Sequence, residues 1–169
     1  ATTTGMASRL SEPDVRAVGR TARGVKAISL RDGDSVVGMS PISREKMVLT
    51  VSETGYGRLS EIDDYRLQMR GGKGITNYHV EKYGDVASIK LVSSDEDVIL
   101  ISENGIIIRI KADSIRSCAR PSKGVRVMKI SENNRIVAVA SVPHEDDIDN
   151  DSTAEDAENT EEEIASENE

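Results

Sequence analysis

The 169-residue chain has no Trp and no Phe, and its only aromatic residues are Tyr56, Tyr65, Tyr78 and Tyr83. Single-stranded nucleic acid is held by stacking bases on several aromatic platforms, so this composition disfavours that mode. There is one cysteine, Cys118. It excludes an internal disulfide framework and a multi-cysteine zinc site, and a reducing compartment is expected. No apolar run approaches the roughly 18 residues of a membrane-spanning helix. The amino terminus lacks the charged and apolar regions of a signal peptide. It also lacks an initiator Met, which reads as a piece of a longer chain. Basic residues are missing from one end: all 22 Lys and Arg lie between Arg9 and Arg135.

That last absence explains the net charge of −8. Residues 1–143 carry 22 basic and 17 acidic residues, a balance of +5, whereas residues 144–169 carry 13 acidic residues and no Lys or Arg. The chain is a basic body with an acidic tail, an asymmetry that points to a polyanion partner. The body, 1–143, is long enough to bury one real core. The tail, 144–169, has few apolar residues and is expected to be disordered.

Within the body, positions recur every 50 residues. Gly24, Gly74 and Gly124 each follow a cation (Arg23, Lys73, Lys123) and precede a β-branched residue (Val25, Ile75, Val125). Arg20, Arg70 and Arg120 keep the same step, as do Arg16, Arg66 and Arg116. Gly5, Gly55 and Gly105 form a second anchor, and Ser52-Glu53 matches Ser102-Glu103.

Each unit reads as β structure. Lys46–Ser52 and Asp97–Ser102 are short β-branched runs ending before Gly55 and Gly105, the pattern of strand, turn, strand. Ile106–Ile110 is the second hairpin arm, with Gly57–Ser60 as its weaker counterpart. Further strands are expected over Val25–Leu30, Val125–Ile130, Val36–Met39, Val86–Leu91 and Ile136–Val142. No segment has a helical stripe capped at both ends. Four strands in 50 residues is the size of a propeller blade. The fold class is therefore all-β: propeller-like β-pinwheel repeats, about three blades of a longer array, since closed propellers carry about 4–8. The repeated glycines are expected to supply positive φ or close backbone approach.

Equivalent residues of stacked blades occupy equivalent positions, so repeated cations would form a curved basic rim. Such a rim can neutralise duplex phosphates and bend DNA without reading its sequence. Beside a glycine turn, backbone N–H groups can also face a phosphate. The plainer reading pairs Arg16, Arg66 and Arg116 with Asp14, Asp64 and Asp113, surface contacts worth about 0–1 kcal/mol each. A protein-binding propeller module, its cations merely solvated, is a further alternative.

Three segments carry a resemblance. Gly19-Arg20-Thr21-Ala22-Arg23-Gly24-Val25-Lys26 is similar to a blade signature of the C-terminal β-pinwheel domain of the bacterial DNA gyrase A protein, part of a type II topoisomerase. Gly55-Tyr56-Gly57-Arg58 and Tyr65–Ile75 resemble it too. Gln68-Met69-Arg70-Gly71-Gly72-Lys73-Gly74 resembles the family's heptad box, Q-R-R-G-G-K-G. The resemblance implies a non-catalytic domain of about six blades that wraps duplex DNA in a positive sense around its basic edge. Its implied partners are the rest of the gyrase A chain and the gyrase B chain, in an A2B2 holoenzyme that alone would use ATP and Mg to supercoil DNA negatively. It implies a cytoplasmic, nucleoid-associated protein with no membrane contact. The acidic tail is similar to tails that tune wrapping. The expected DNA-binding residues are Arg20, Arg23, Lys26, Arg58, Arg66, Arg70, Lys73, Arg109, Arg120, Lys123 and Arg126. No cofactor, metal ligand or catalytic residue is expected in this chain.

The departures are specific. The family's defining box lies in its first blade, whereas this copy lies in what reads as the penultimate one. Met69 replaces an Arg of the box. In the third copy, Pro121 and Ser122 replace two glycines. Arg58-Leu59 keeps one cation where the family often has two, and Arg109 is assigned the role in the next blade. The related decatenating topoisomerase has similar blades but usually a degenerate box, so the well-formed Gln68–Gly74 favours gyrase.

Other motifs dissolve. Gly71-Gly72-Lys73-Gly74 lacks the spacing and the helix of a phosphate-binding P-loop. Asp147, Asp149, Asp151 and Glu158 mimic a calcium loop, but Ser152 stands where its glycine belongs. Asn150-Asp151-Ser152 fits a glycosylation sequon that has no meaning in a cytosolic protein. His79, His144 and Cys118 lack the partners that metal binding or nucleophilic catalysis needs, and the tyrosines read as packing or turn residues.

Overall fold

A computed structural model describes residues 1–144. The expectations for the acidic tail from Glu145 onward, including the calcium-like carboxylates and the sequon at Asn150, lie outside the described residues.

Two copies of one four-strand plan follow each other. In the middle unit β2 (Met47–Ser52) turns into β3 (Tyr56–Ser60), and β4 (Ile75–Thr76) and β5 (Val86–Val92) follow. In the last unit the same places are taken by β6 (Glu96–Ser102), β7 (Ile107–Lys111), β8 (Val125–Arg126) and β9 (Ile136–Pro143). The first unit contributes β1 (Met6–Ala7). Single 3₁₀ turns at Glu12–Asp14, Ile62–Asp64 and Ala112–Ser114 keep the period, and α1 (Val80–Tyr83) is one helical turn.

The period is chemical as well as geometric. The hydroxyls of Thr2, Ser52 and Ser102 accept the N–H groups of Met6, Tyr56 and Ile106 at 3.3, 3.2 and 3.1 Å. Each bond closes the turn that holds the 50-residue glycine anchor. Gly55 has φ +87°, and a Cβ there would strike the Met128 carbonyl. Gly124 has φ +79°, and a Cβ there would strike the Gly57 carbonyl. Both properties expected of these glycines are present.

Sheet topology adds an exchange between units. One sheet has the order β5-β2-β3-β8 and the next β7-β6-β9. The short strand after each box thus leaves its own unit and pairs with the unit before it. Met6↔Thr76 and Ala7↔Ile75 recur, 50 residues on, as Tyr56↔Arg126 and Gly57↔Val125. The parallel bridges Arg9↔Leu67 and Leu59↔Ser117 keep the same step.

Three expected strands are corrected. Val25–Leu30 and Val36–Met39 form only isolated bridges, Ile28↔Gly72 and Thr2↔Val36. A strand exists only where a partner completes its ladder. Of the positions 50 residues before the partners of β4 and β5, only Ala1 and Thr2 lie in this sequence. Val125–Ile130 narrows to two residues, because the β3 edge offers it only Tyr56 and Gly57.

The main core joins the middle and last sheets. Leu49, Val51, Leu59, Val92, Val98, Leu100, Ile115, Met128, Ile136 and Val139 are buried there. Burying each large side chain fully stabilises by about 1.5–3 kcal/mol. A smaller cluster of Ala7, Val48, Ile62 and Tyr65 joins the first and middle units. β2 is buried on both faces, which is why its sequence is a continuous run rather than an alternation.

Candidate nucleic-acid interface

The box Gln68–Gly74 is laid across the first unit. Gly71 N–H donates to Ala27 O at 2.7 Å, Ser29 N–H to Gly72 O at 2.8 Å, and Ser29 Oγ to Gly71 O at 2.7 Å. Gln68 N–H donates to Arg9 O at 2.9 Å. The Gly71 N–H is therefore committed to Ala27. Of the box side chains, Arg70 and Lys73 are exposed and Met69 is 87 % exposed, whereas the Gln68 amide nitrogen is buried.

The three copies differ in what their cations do. Arg20, Arg23 and Lys26 in the first unit, and Arg66, Arg70 and Lys73 in the second, are all exposed or nearly so. Among the described residues their side chains enter no hydrogen bond or ion pair. The pairs with Asp14, Asp64 and Asp113 envisaged for Arg16, Arg66 and Arg116 are not formed. With no carboxylate paired to them among the described residues, these six cations stand exposed on two successive units.

The third copy is engaged instead. Arg120 donates from Nε to Asp64 O at 3.2 Å and from a terminal nitrogen to Thr76 O, and it lies over the Tyr65 ring at 5.8 Å. It straps the third box to the second unit. Lys123 Nζ sits 3.7 Å above the Tyr56 ring. Arg126 donates to the Tyr56 hydroxyl at 2.7 Å. These contacts, first from Arg126 and then from Lys123, hold the phenol below its ordinary pKa.

Two further expected rim cations are engaged by acceptors, Arg58 in the interior and Arg109 at the surface. Arg58 is fully buried. It donates to Ser122 O at 3.0 Å, to Ser60 Oγ, and to both carbonyls of Asn77. It cannot reach a phosphate, and its assignment to the rim is corrected: β3 turns it inward at the junction of two units, where it gathers carbonyls. Arg109 donates to Asp97 at 2.6 Å, and His144 stands 3.0 Å from the same carboxylate. The bond to His144, followed by that to Arg109 against burial, holds the Asp97 carboxyl below the usual range.

Among the described residues no group of three or more His, Cys, Asp or Glu side chains could hold a metal ion. Among them, too, no helix is long and apolar enough to cross a membrane. A cavity of about 200 Å³ lies where the first and middle units meet, lined mainly by apolar residues such as Ile28, Val36, Met39, Ile62 and Ile89. None of the six free cations lines it.

Sequence reasoning missed Asn77 and the role of Tyr56. Asn77 Oδ1 accepts from Arg58 at 2.9 Å and from the Tyr65 hydroxyl at 2.6 Å. Neither residue repeats at the 50-residue step, so the period gave no signal for them.

A family model for the DNA gyrase C-terminal domain, a β-propeller, matches residues 1–43, 46–93 and 96–143. The DNA gyrase A protein of Lawsonia intracellularis is 54 % identical over 84 residues, which cover 47 % of this chain and 10 % of that protein. Its counterpart in Haloquadratum walsbyi is 49 % identical over 75 residues, covering 43 % and 9 %. Among solved structures, a DNA topoisomerase IV C-terminal domain matches with TM-score 0.79 and 26 % identity, covering 86 % of this chain and 46 % of that one. A DNA gyrase A C-terminal domain matches with TM-score 0.75 and 27 % identity, covering 83 % and 48 %. The matched segments thus span about a tenth of the curated relatives and about half of these solved domains.

Proposed function

Because the chain belongs to the DNA gyrase C-terminal domain family, a β-propeller, we propose that it binds and wraps duplex DNA as the C-terminal part of a gyrase A protein. The observation that carries this reading is the set of six solvent-facing cations, Arg20, Arg23, Lys26, Arg66, Arg70 and Lys73, none with a partner among the described residues. Buried or paired arginines can be structural. Exposed cations of which Arg20 and Arg70, and Arg23 and Lys73, keep the 50-residue step on successive units suit a run of phosphates.

In this reading the chain performs no chemistry. It holds a DNA segment for the breakage and reunion carried out by the rest of the gyrase A chain, with gyrase B in an A2B2 assembly. ATP and Mg belong to that holoenzyme, which acts on the nucleoid in the cytoplasm. The 13 carboxylates of residues 144–169 compete on the same chain for the rim, at an effective concentration that can reach the millimolar range.

The test is duplex binding over a salt series. If about five phosphates are neutralised, log K falls with log[salt] at a slope near −4.5, alike for unrelated sequences. Salt-independent binding, or none at low salt without the tail, overturns the reading. A second reading, the equivalent domain of the decatenating topoisomerase, is favoured by the match to the topoisomerase IV domain. Positive writhe imposed on relaxed circles by the parent enzyme, coupled to ATP-dependent negative supercoiling, selects gyrase; decatenation without supercoiling selects the alternative.

A further inference from the structure

All four tyrosines of this aromatic-poor chain gather around the third box. Tyr65 carries Arg120 at 5.8 Å. Tyr56 carries Lys123 at 3.7 Å and Arg126 at 5.2 Å, and accepts the Arg126 guanidinium hydrogen bond at 2.7 Å. Tyr83 lies 5.4 Å from the same Lys123 ammonium. Tyr78 packs edge-on against Tyr83 at 5.7 Å and donates to Lys123 O at 3.1 Å. Lys123 is thus held at both ends, by its backbone carbonyl and by its ammonium.

The first junction has no such arrangement. Fifty residues before Tyr56 stands Met6, and fifty before Lys123 and Arg126 stand Lys73 and Thr76. Lys73 is exposed and without a side-chain partner among the described residues. The backbone pairing is the same at both junctions. The side chains around that pairing differ.

We infer that Tyr56 is a positioning residue: its ring and hydroxyl fix Lys123 and Arg126 as a preformed two-cation site for consecutive backbone phosphates. The inference rests on the DNA-binding reading above. A lysine or arginine free in water loses rotamer freedom when it grips a phosphate. Over an aromatic face it has lost that freedom already, while its charge remains available. Arg126 is exposed and Lys123 half-buried, so an anion can reach both. The third box, degraded in sequence by Pro121 and Ser122, is thereby compensated by geometry. Two cations are pre-ordered there, against free ones at the second box.

The test is duplex binding by residues 1–169 over a salt series, with Tyr56→Met, Tyr56→Phe, Lys123→Ala and a control carrying R66E, R70E and K73E. Methionine is the residue the fold already accepts at the equivalent position, Met6, and the melting temperature is recorded for each variant. Tyr56→Met should weaken binding about five- to tenfold at fixed salt with an unchanged salt slope, because both charges remain. Tyr56→Phe, which keeps the ring under Lys123, should retain most of the affinity. Lys123→Ala should reduce the slope by about 0.9, one phosphate contact. Adding Tyr56→Met to Lys123→Ala should then cost less than it does alone. Unchanged or tighter binding by Tyr56→Met, or a slope that falls with it, overturns the inference. If the triple charge reversal leaves binding intact, the DNA-binding reading itself has failed.

Discussion

Arg58 donates to both carbonyls of Asn77, the side-chain one at 2.9 Å, and both residues are completely shielded from solvent. The same guanidinium reaches Ser60 and the Ser122 carbonyl of the third box. No carboxylate is among these partners. The interior where the middle and last units meet is therefore built around an arginine satisfied by neutral acceptors, an arrangement that demands several donors in one plane.

Arg58→Met should destabilise the fold by at least about 3 kcal/mol, since Asn77, Ser60 and Ser122 lose donors where water cannot replace them. Arg58→Lys should recover only part of this, because an ammonium lacks the planar fork. Denaturant unfolding measures the loss. The salt slope of DNA binding by the folded fraction should be unchanged, a result that separates this arginine from those on the rim.

Gly124→Ala and Gly24→Ala should differ sharply, although the residues are equivalent in the repeat. Both have positive φ. A methyl at Gly24 meets nothing within 4 Å, whereas at Gly124 it collides with the Gly57 carbonyl. The expected costs are about 1–2 kcal/mol for Gly24→Ala and more than about 3 kcal/mol for Gly124→Ala. Thermal unfolding of the two variants checks the order.

Reversing Arg66, Arg70 and Lys73 to Glu should weaken duplex binding equally across unrelated sequences, and removing each contact should shallow the salt slope by about 0.9. Stability should change little, because these side chains hold nothing in place. Arg120→Ala should do the opposite: it removes the strap from Asp64 O to Thr76 O, so unfolding registers it more strongly than DNA binding does.

Asp34 anchors the first unit. Burial opposes its charge, but the Thr4 N–H and the hydroxyls of Thr4 and Thr3 outweigh it and bring its carboxyl to about 2. An ordinary Asp titrates near 3.9. The folded pKa is the lower one, so the stabilisation is full above about pH 4 and is lost as pH falls toward 2. Asp34→Asn should flatten that part of the stability curve, measured by unfolding between about pH 5 and pH 2. A curve as steep as that of the wild type would remove Asp34 from this role.

A chain ending at His144 should bind duplex DNA more tightly than the full chain at low salt, by a few-fold, with the difference vanishing as salt screens the carboxylates. Equal affinities at low salt would show that the tail does not compete.

The hairpins, the glycine anchors and the position of the box were legible because each is local. A β-branched run followed by Ser or Thr and a glycine closes the same turn wherever it occurs, as Ser52 with Gly55 and Ser102 with Gly105 do. Val25–Leu30 and Val36–Met39 misled because their composition is that of strands while their ladders lack partners. The repeat locates the cations but does not tell which of them are engaged. Arg70 and Arg120 share a place in the repeat, yet among the described residues one has no side-chain partner and the other straps two units together.

The sequence alone determines the 50-residue unit, its β character, the glycines at positive φ and the separation of a basic body from an acidic tail. These depend on residues near one another in the chain. Tertiary structure decides which charges face solvent. The exchange of β4 and β8 into preceding units brings Tyr56 against Arg126 and Arg58 against Ser122, pairs 70 and 64 residues apart. No local pattern encodes such a meeting. Burial and hydrogen bonding then fix each cation in the interior, on an aromatic face, or free at the edge where an anion can reach it.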